Sequence, residues 1–185
     1  KDWREAISKL APEKLVFLVE TSSWLGMTRL YARILGGGRI YDTAPKKHLG
    51  KVSLLAAVTS QGFKADACLM LEDSVDTATF LTYLEQVLLP TLEPGQIVVM
   101  DNFTIHHNTH VKTLIENKGC TLIYLPTYSP DFNPIEHLFA KIKAFIRKSR
   151  PLTLPDLFQA LKEAILSILA TVAKNAFSHC GYSSQ

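Results

Sequence analysis

The hydrophobic pattern of the chain changes at about residue 76, and this change limits the folds it can adopt. Before that point, four runs rich in β-forming residues predict an antiparallel meander of strands at 15–19, 27–35, 51–59 and 63–71. After it, helical spacing alternates with short apolar runs. Helices are predicted at 76–89, 108–117, 134–148 and 156–173, strands at 97–100 and 121–125, and one further helix ends near residue 10. This order predicts an α/β fold with a mixed sheet flanked by helices.

The length of 185 residues suits one domain spanning 1–185, with a core at about 14–150 and a C-terminal helical extension at 151–185. Cys68, Cys120 and Cys180 are widely spaced, without a CxxC pair, which predicts reduced, mostly buried thiols in a cytoplasmic protein. No apolar run is long enough to cross a membrane, so no membrane association is expected. Because the chain begins with Lys1 rather than Met, we interpret it as a fragment or processed form of a longer protein.

The net charge of +3 is too small to indicate nucleic-acid binding by itself. The basic residues nevertheless gather in two groups, which the solvated faces of a loop and a helix would also explain. The first group is Lys46, Lys47, His48 and Lys51, and the second is Lys141, Lys143, Arg147, Lys148 and Arg150.

Two carboxylates stand at positions typical of a catalytic or metal-binding site. Asp101 ends the buried run IVVM, at the tip of a predicted central strand, and Glu136 lies in the first turn of the helix that begins at Pro134. Each also has a structural interpretation. Glu136 could close a capping box with Asn133, and Asp101 could form an Asx turn. Helical geometry places Glu136, Lys143 and Arg147 on one flank, which suits either a metal ligand beside a DNA backbone or a surface ion pair.

The strings MDNFTIHH (100–107) and YLPTYSPDFNPIEHLFAKIK (124–143) resemble the DDE transposases of bacterial insertion sequences related to the mariner group. Asp101 and Glu136, with 34 residues between them, match the second and third catalytic carboxylates of that family. The resemblance implies a ribonuclease-H-like fold and a centre with two Mg²⁺ or Mn²⁺ ions held by three carboxylates. In such a centre one cation activates the nucleophile and the other stabilises the leaving oxygen.

The first carboxylate of the family pattern is missing. The family strand ends in Asp-Glu, whereas this chain has Val19 and Glu20 in those places. Strand neighbours point to opposite faces, so Glu20 could replace the aspartate only if a β-bulge re-aimed it. We therefore expect weak metal binding and little strand cleavage. The alternative is a catalytically inactive, transposase-derived domain that binds DNA or self-associates.

The resemblance also implies partners and further contacts. DNA is the expected partner, as transposon ends and a TA target, together with a possible homodimer and a bacterial, nucleoid-associated location. Lys141, Lys143, Arg147 and His106 are the expected DNA contacts, with Tyr128 and Ser129 as weaker candidates. The N-terminal DNA-binding domain of the family is expected to be absent, so DNA affinity should be weak and salt-sensitive.

Overall fold

A five-stranded mixed sheet forms the centre of the protein in the computed structural model, which describes residues 3, 10–29, 31, 35–39, 41–43, 50–101, 109–127 and 129–182. The strands are β1 (Leu15–Trp24), β2 (Lys51–Thr59), β3 (Gly62–Glu72), β4 (Ile97–Met100) and β5 (Thr121–Tyr124). Their order is β3-β2-β1-β4-β5. β1, β2 and β3 pair antiparallel, and β4 and β5 extend the sheet parallel to β1. The predicted mixed sheet is confirmed.

Helices cover both faces of the sheet. The first helix, α1, comprises α-helical Thr77–Tyr83, a π-helical turn Leu84–Leu88 and a last α-helical turn Leu89–Thr91. The others are α2 (Thr109–Asn117), α3 (Pro134–Ser149), α4 (Leu154–Leu166) and α5 (Ala170–His179), and 3₁₀ turns precede β1 at Pro12–Lys14 and α3 at Pro130–Phe132. In the part of the chain that the structure describes, no helix has the length and apolar character of a membrane span.

Strand alternation divides the core into two clusters, one on each face. Odd-numbered residues of β1, including Phe17 and Val19, pack with the buried side chains of α3, α4 and α5. Even-numbered ones, including Leu18, pack with α1 and α2. The side chain of Val19 therefore lies on the face covered by α3.

Two predicted elements are wrong. The described residues of the predicted strand at 27–35, which are 27–29, 31 and 35, form no strand, and β1 pairs directly with β2. The predicted helix at 156–173 is two helices, because Leu169 is extended and the Ser167 hydroxyl donates to the Ala164 carbonyl at 2.7 Å. That hydroxyl caps the end of α4, and the chain then turns into α5. Most of the predicted helix ending near residue 10 lies outside the described residues.

The three cysteines are free thiols, as predicted. Cys120 and Cys180 are buried, and Cys68 is partly buried. Burial raises the pKa of the Cys68 thiol to about 11, which keeps it protonated at neutral pH.

A buried hydrogen bond joins α1 to β3. The hydroxyl of Tyr83, a residue only 1% exposed, donates to the Ala67 carbonyl at 2.8 Å. Tyr83→Phe removes the donor and leaves a buried acceptor, so the free energy of unfolding should fall by about 1–2 kcal/mol in urea denaturation. Tyr31→Phe, at an exposed position, is the control and should change it by less than about 0.5 kcal/mol. Equal effects of the two substitutions would contradict this account of the Tyr83 hydroxyl.

Candidate functional site

Position 19 and Asp101 lie next to each other at the point where the parallel pairing of β1 with β4 ends. The paired residues of β1 and β4 end at Leu18 and Met100, and Val19 and Asp101 are the next residue on each strand. Neighbouring strands are about 4.8 Å apart, so the two backbones remain close at this level. Alternation assigns Asp101 to the same face as Val99 and Val19, the face covered by α3.

Val19 is a core residue rather than a partly exposed side chain at the rim of a site. It is 4% exposed and belongs to the apolar cluster under α3. Glu20 pairs with Leu55 on the antiparallel side, and the β1–β2 register runs without a shift from Phe17 to Trp24. A β-bulge that would turn Glu20 toward the face of Val19 is therefore not formed in β1.

The α3 helix places Glu136 at the protein surface. Its apolar stripe is buried and consists of Ile135, Leu138, Phe139, Ile142 and Ile146. Pro134 occupies the first turn, where its missing N–H leaves no acceptor unsatisfied. Glu136 is exposed in the same turn. The stripe fixes the orientation of the helix, and Glu136 projects from its polar side.

The capping-box interpretation of Glu136 is wrong. The Asn133 side chain caps α3 by accepting from the Ile135 N–H at 3.2 Å, but the Asn133 N–H donates to the Pro130 carbonyl at 2.9 Å. The Asn133 N–H, from which a capping-box glutamate would accept a hydrogen bond, is therefore already bonded to another acceptor. Thr153 and Asp156 do form a complete capping box at the start of α4. The carboxylate of Glu136 thus has no capping function at the start of α3.

Glu136 lines a cavity of about 550 Å³ between the start of α3 and the end of α5. Its other lining residues are Pro130, Asp131, Phe132, His137, Ser178, His179, Cys180 and Gly181, and Asp101 is not among them. Burial, with a smaller contribution from the Asp131 charge, raises the pKa of the Cys180 thiol to about 11. The structure thus places Glu136 in a cavity of mixed polar and apolar lining without showing it in contact with Asp101.

The C-terminal residues hold the turn that leads into α3. The Tyr182 hydroxyl donates to the Phe132 carbonyl at 2.8 Å. The ring of Phe17 in β1 makes edge-to-face contacts with Phe177 and Tyr182, each with centroids 5.2 Å apart. Phe132 directly precedes the cap residue Asn133. These contacts therefore fix where α3 begins and, with it, the position of Glu136.

The predicted DNA-contacting residues fall in different places. Lys143 and Arg147 are partly exposed on the flank of α3 that carries Glu136, whereas Lys141 lies toward α5 in a smaller cavity. The Arg150 guanidinium is bound to the Asp42 carboxylate, with one N–O distance of 3.2 Å, and it lowers the pKa of Asp42. His106, Tyr128 and the basic residues 46–48 lie outside the described residues.

The residues present do not fit a centre for two divalent cations. Such a centre needs several carboxylate oxygens, and position 19, where the family pattern has its first carboxylate, holds a buried valine. Over residues 50–101, 109–127 and 129–182 and the shorter described segments before them, no three His, Cys, Asp or Glu side chains lie close enough to hold a metal ion. Sequence reasoning missed His137 and His179, whose rings make an edge-to-face contact at 4.7 Å. The only signal for them was the i, i+4 spacing that each shares with another polar residue on its helix.

The fold and the family are also found in known proteins. A family model described as "DDE superfamily endonuclease" matches residues 14–157. The Tcb2 transposase of Caenorhabditis briggsae is 25% identical over 136 residues, which are 71% of this chain and 50% of that protein. This chain therefore spans about half the length of that curated relative.

Solved structures of a transposase share the fold. The structure of a pre-cleavage Mos1 transpososome superposes with a TM-score of 0.77 at 16% identity, covering 96% of this chain and 57% of that chain. The catalytic domain of Mos1 mariner transposase superposes with a TM-score of 0.71 at 16% identity, covering 97% and 87%. A third similar structure is the Mos1 paired-end complex with Mn, at a TM-score of 0.75 and 18% identity, covering 96% and 58%. The ribonuclease-H-like fold that was predicted is confirmed.

Removal of the Glu136 carboxylate should leave stability unchanged, because it does not cap α3. Glu136→Ala should change the free energy of unfolding by less than about 0.5 kcal/mol. The matched control is Asp156→Ala, which breaks a formed capping box and should lower it by about 1 kcal/mol. Urea denaturation of both variants makes the comparison. A loss at Glu136 as large as the loss at Asp156 would restore the capping interpretation.

Proposed function

Because the chain belongs to the DDE superfamily endonuclease family, we propose that it is the catalytic domain of a cut-and-paste DNA transposase whose strand cleavage is impaired by Val19. The observation that carries the proposal is the register of β1 with β4. It puts a buried valine beside Asp101, where the family pattern has its first catalytic aspartate. Asp101 and Glu136 are the proposed remaining catalytic carboxylates and metal ligands.

The family assignment extends to the proposed partners. The matched proteins are a transposase and structures whose names describe a transpososome and paired-end complexes, one of them with Mn. We propose DNA in the form of transposon ends as the substrate, a TA dinucleotide as the target and a dimer as the working assembly. Mg²⁺ or Mn²⁺ is the proposed cofactor of a site with its first carboxylate intact. The strings around Asp101 and Glu136 support an origin in a bacterial insertion sequence, and hence a cytoplasmic, nucleoid-associated location.

The proposed domain organisation is a single catalytic unit. Its core covers about 14–150, and residues 151–185 form a helical extension. The apolar cluster under α3 supports one unit, because buried residues of α4 and α5 share it with the sheet. We propose that recognition of the transposon ends requires a further DNA-binding domain outside this chain.

Electrostatics explains why the valine would impair cleavage. Asp101 and Glu136 supply two negative charges, whereas two divalent cations carry four positive ones, and like-charged ions only about 4 Å apart repel strongly. A carboxylate at position 19 would lie beside Asp101 on the face covered by α3. A valine offers neither charge nor lone pairs there.

The second candidate function is a non-catalytic one, in which the domain retains only DNA contact or self-association. The observation that favours it is the burial of Val19 in a continuous apolar cluster. A side chain that contributes to the core of the protein would be retained for stability after catalysis was lost.

Restoring the aspartate tests the proposal. Val19→Asp should gain Mn²⁺-dependent nicking of supercoiled plasmid, by roughly tenfold or more over the parent. It should also gain thermal stability on addition of Mn²⁺, because ligand binding stabilises the folded state by about 2.7 kcal/mol at 100 times the dissociation constant.

The matched control is Val19→Asn, which has a similar shape and polarity but no charge, and should show neither gain. The double variant Val19→Asp with Asp101→Asn should lose the gain again. A folded Val19→Asp protein that neither nicks DNA nor responds to Mn²⁺ would contradict the proposal. DNA binding or dimerisation without nicking in that variant would favour the non-catalytic function.

A further inference from the structure

A groove between α3 and α5 carries side chains that suit a nucleic-acid backbone. It has a volume of about 280 Å³ and is lined by His137, Leu138, Lys141, Val172, Asn175, Ala176 and His179. Its four polar residues form two i, i+4 pairs, His137 with Lys141 on α3 and Asn175 with His179 on α5. Residues at this spacing lie on one face of a helix, so each helix contributes one polar pair to the lining of the groove.

The hydrogen-bonding groups of the lining residues indicate which kind of ligand the groove can bind. Lys141, Asn175 and both histidines can donate hydrogen bonds, and no carboxylate lines this groove. Leu138, Val172 and Ala176 supply an apolar floor. Donors from two helices beside an apolar floor suit the phosphate oxygens and the sugar of a nucleic-acid strand.

The polar residues of the groove are available for a ligand. Within the described parts of the chain, no ion pair involves Lys141, His137 or His179. The edge-to-face contact of the two imidazole rings, at 4.7 Å, restricts both of them before any ligand arrives. A fixed donor loses less conformational freedom on binding, which favours contact with a phosphate.

The groove adjoins the cavity that holds Glu136. His137 and His179 line both, so they stand between a cavity that contains carboxylates and a groove that contains none. Four residues of helix rise about 6 Å, and a DNA strand advances about 3.4 Å per nucleotide, so the polar pairs run along the backbone length of about two nucleotides.

We propose that His137, Lys141, Asn175 and His179 form a binding subsite for the sugar–phosphate backbone of the DNA strand that leads to Glu136. This subsite rests on the proposed function and deepens it, because it assigns Lys141 to a groove separate from Lys143 and Arg147. It also assigns a DNA contact to α5, which lies beyond the family match at 14–157. The C-terminal extension thereby becomes part of the substrate-binding surface.

The test is fluorescence anisotropy of the whole chain with a labelled 20-nucleotide single strand and a 20-base-pair duplex. EDTA is present, so that metal binding does not contribute. Lys141→Ala and His179→Ala should each weaken binding roughly three- to tenfold. Because only Lys141 contributes a fixed positive charge, the double variant should also reduce the slope of log Kd against log salt by about 0.7 to 0.9.

Two controls separate a lost contact from lost structure. Lys162→Ala removes an equally exposed lysine from α4, away from the groove, and should leave binding unchanged. Lys141→Arg keeps a donor and a charge and should retain most of the affinity. Thermal melts should show all variants folded.

The outcomes distinguish the subsite from the proposed function. Parent-like binding by the folded double variant would overturn the subsite and leave the transposase proposal standing. A reduction as large in Lys162→Ala would also overturn it, because the effect would then be that of net charge alone. A parent that binds neither DNA at low salt would overturn the subsite and remove the support for DNA as the partner.

Discussion

The parallel pairing of β1 with β4 is the constraint on which the candidate site depends. Because side chains alternate along a strand, the register that pairs Leu18 with Met100 determines which residues follow them and which face those residues occupy. Val19 and Asp101 are those residues. A shift of one residue in this register would assign Glu20 instead of Val19 to the face of Asp101, and the meaning of the substitution would change. The register of the two central strands thus determines which residue lies beside Asp101.

The fold was largely predictable from the sequence because its signals are local. The apolar runs of β1, β2, β3, β4 and β5 and the buried stripe of α3 follow from spacing alone. The failures have local physical causes. The run at 27–35 has a strand-like composition, but its described residues do not pair with the sheet, and β1 pairs directly with β2. The break between α4 and α5 depends on a serine capping its own helix, which hydrophobic spacing does not reveal.

The candidate site was predictable only in its chemically distinctive members. Asp101 and Glu136 stand in unusual strings, whereas His137 and His179 are ordinary residues that meet only because α5 folds back along α3. The capping box was a reasonable inference for Asn133 and Glu136, since the sequence supplies both partners. The 3₁₀ turn at Pro130–Phe132 prevents the capping box, because the Asn133 N–H donates to the Pro130 carbonyl of that turn. The C-terminal residues matter for the same reason, since the Tyr182 hydroxyl fixes that turn.

The central proposal is that an aspartate at position 19 would form, together with Asp101 and Glu136, one site able to hold cations. The most direct measurement is an anomalous difference map from Mn²⁺-soaked crystals of the Val19→Asp protein. The account predicts a peak bound by carboxylate oxygens of residues 19 and 101, at the roughly 2.0–2.2 Å of octahedral oxygen ligation, with the Glu136 carboxylate turned toward the same pocket. A map with no peak beside Asp101, or with the carboxylates of residues 101 and 136 on opposite sides of the sheet, would contradict it.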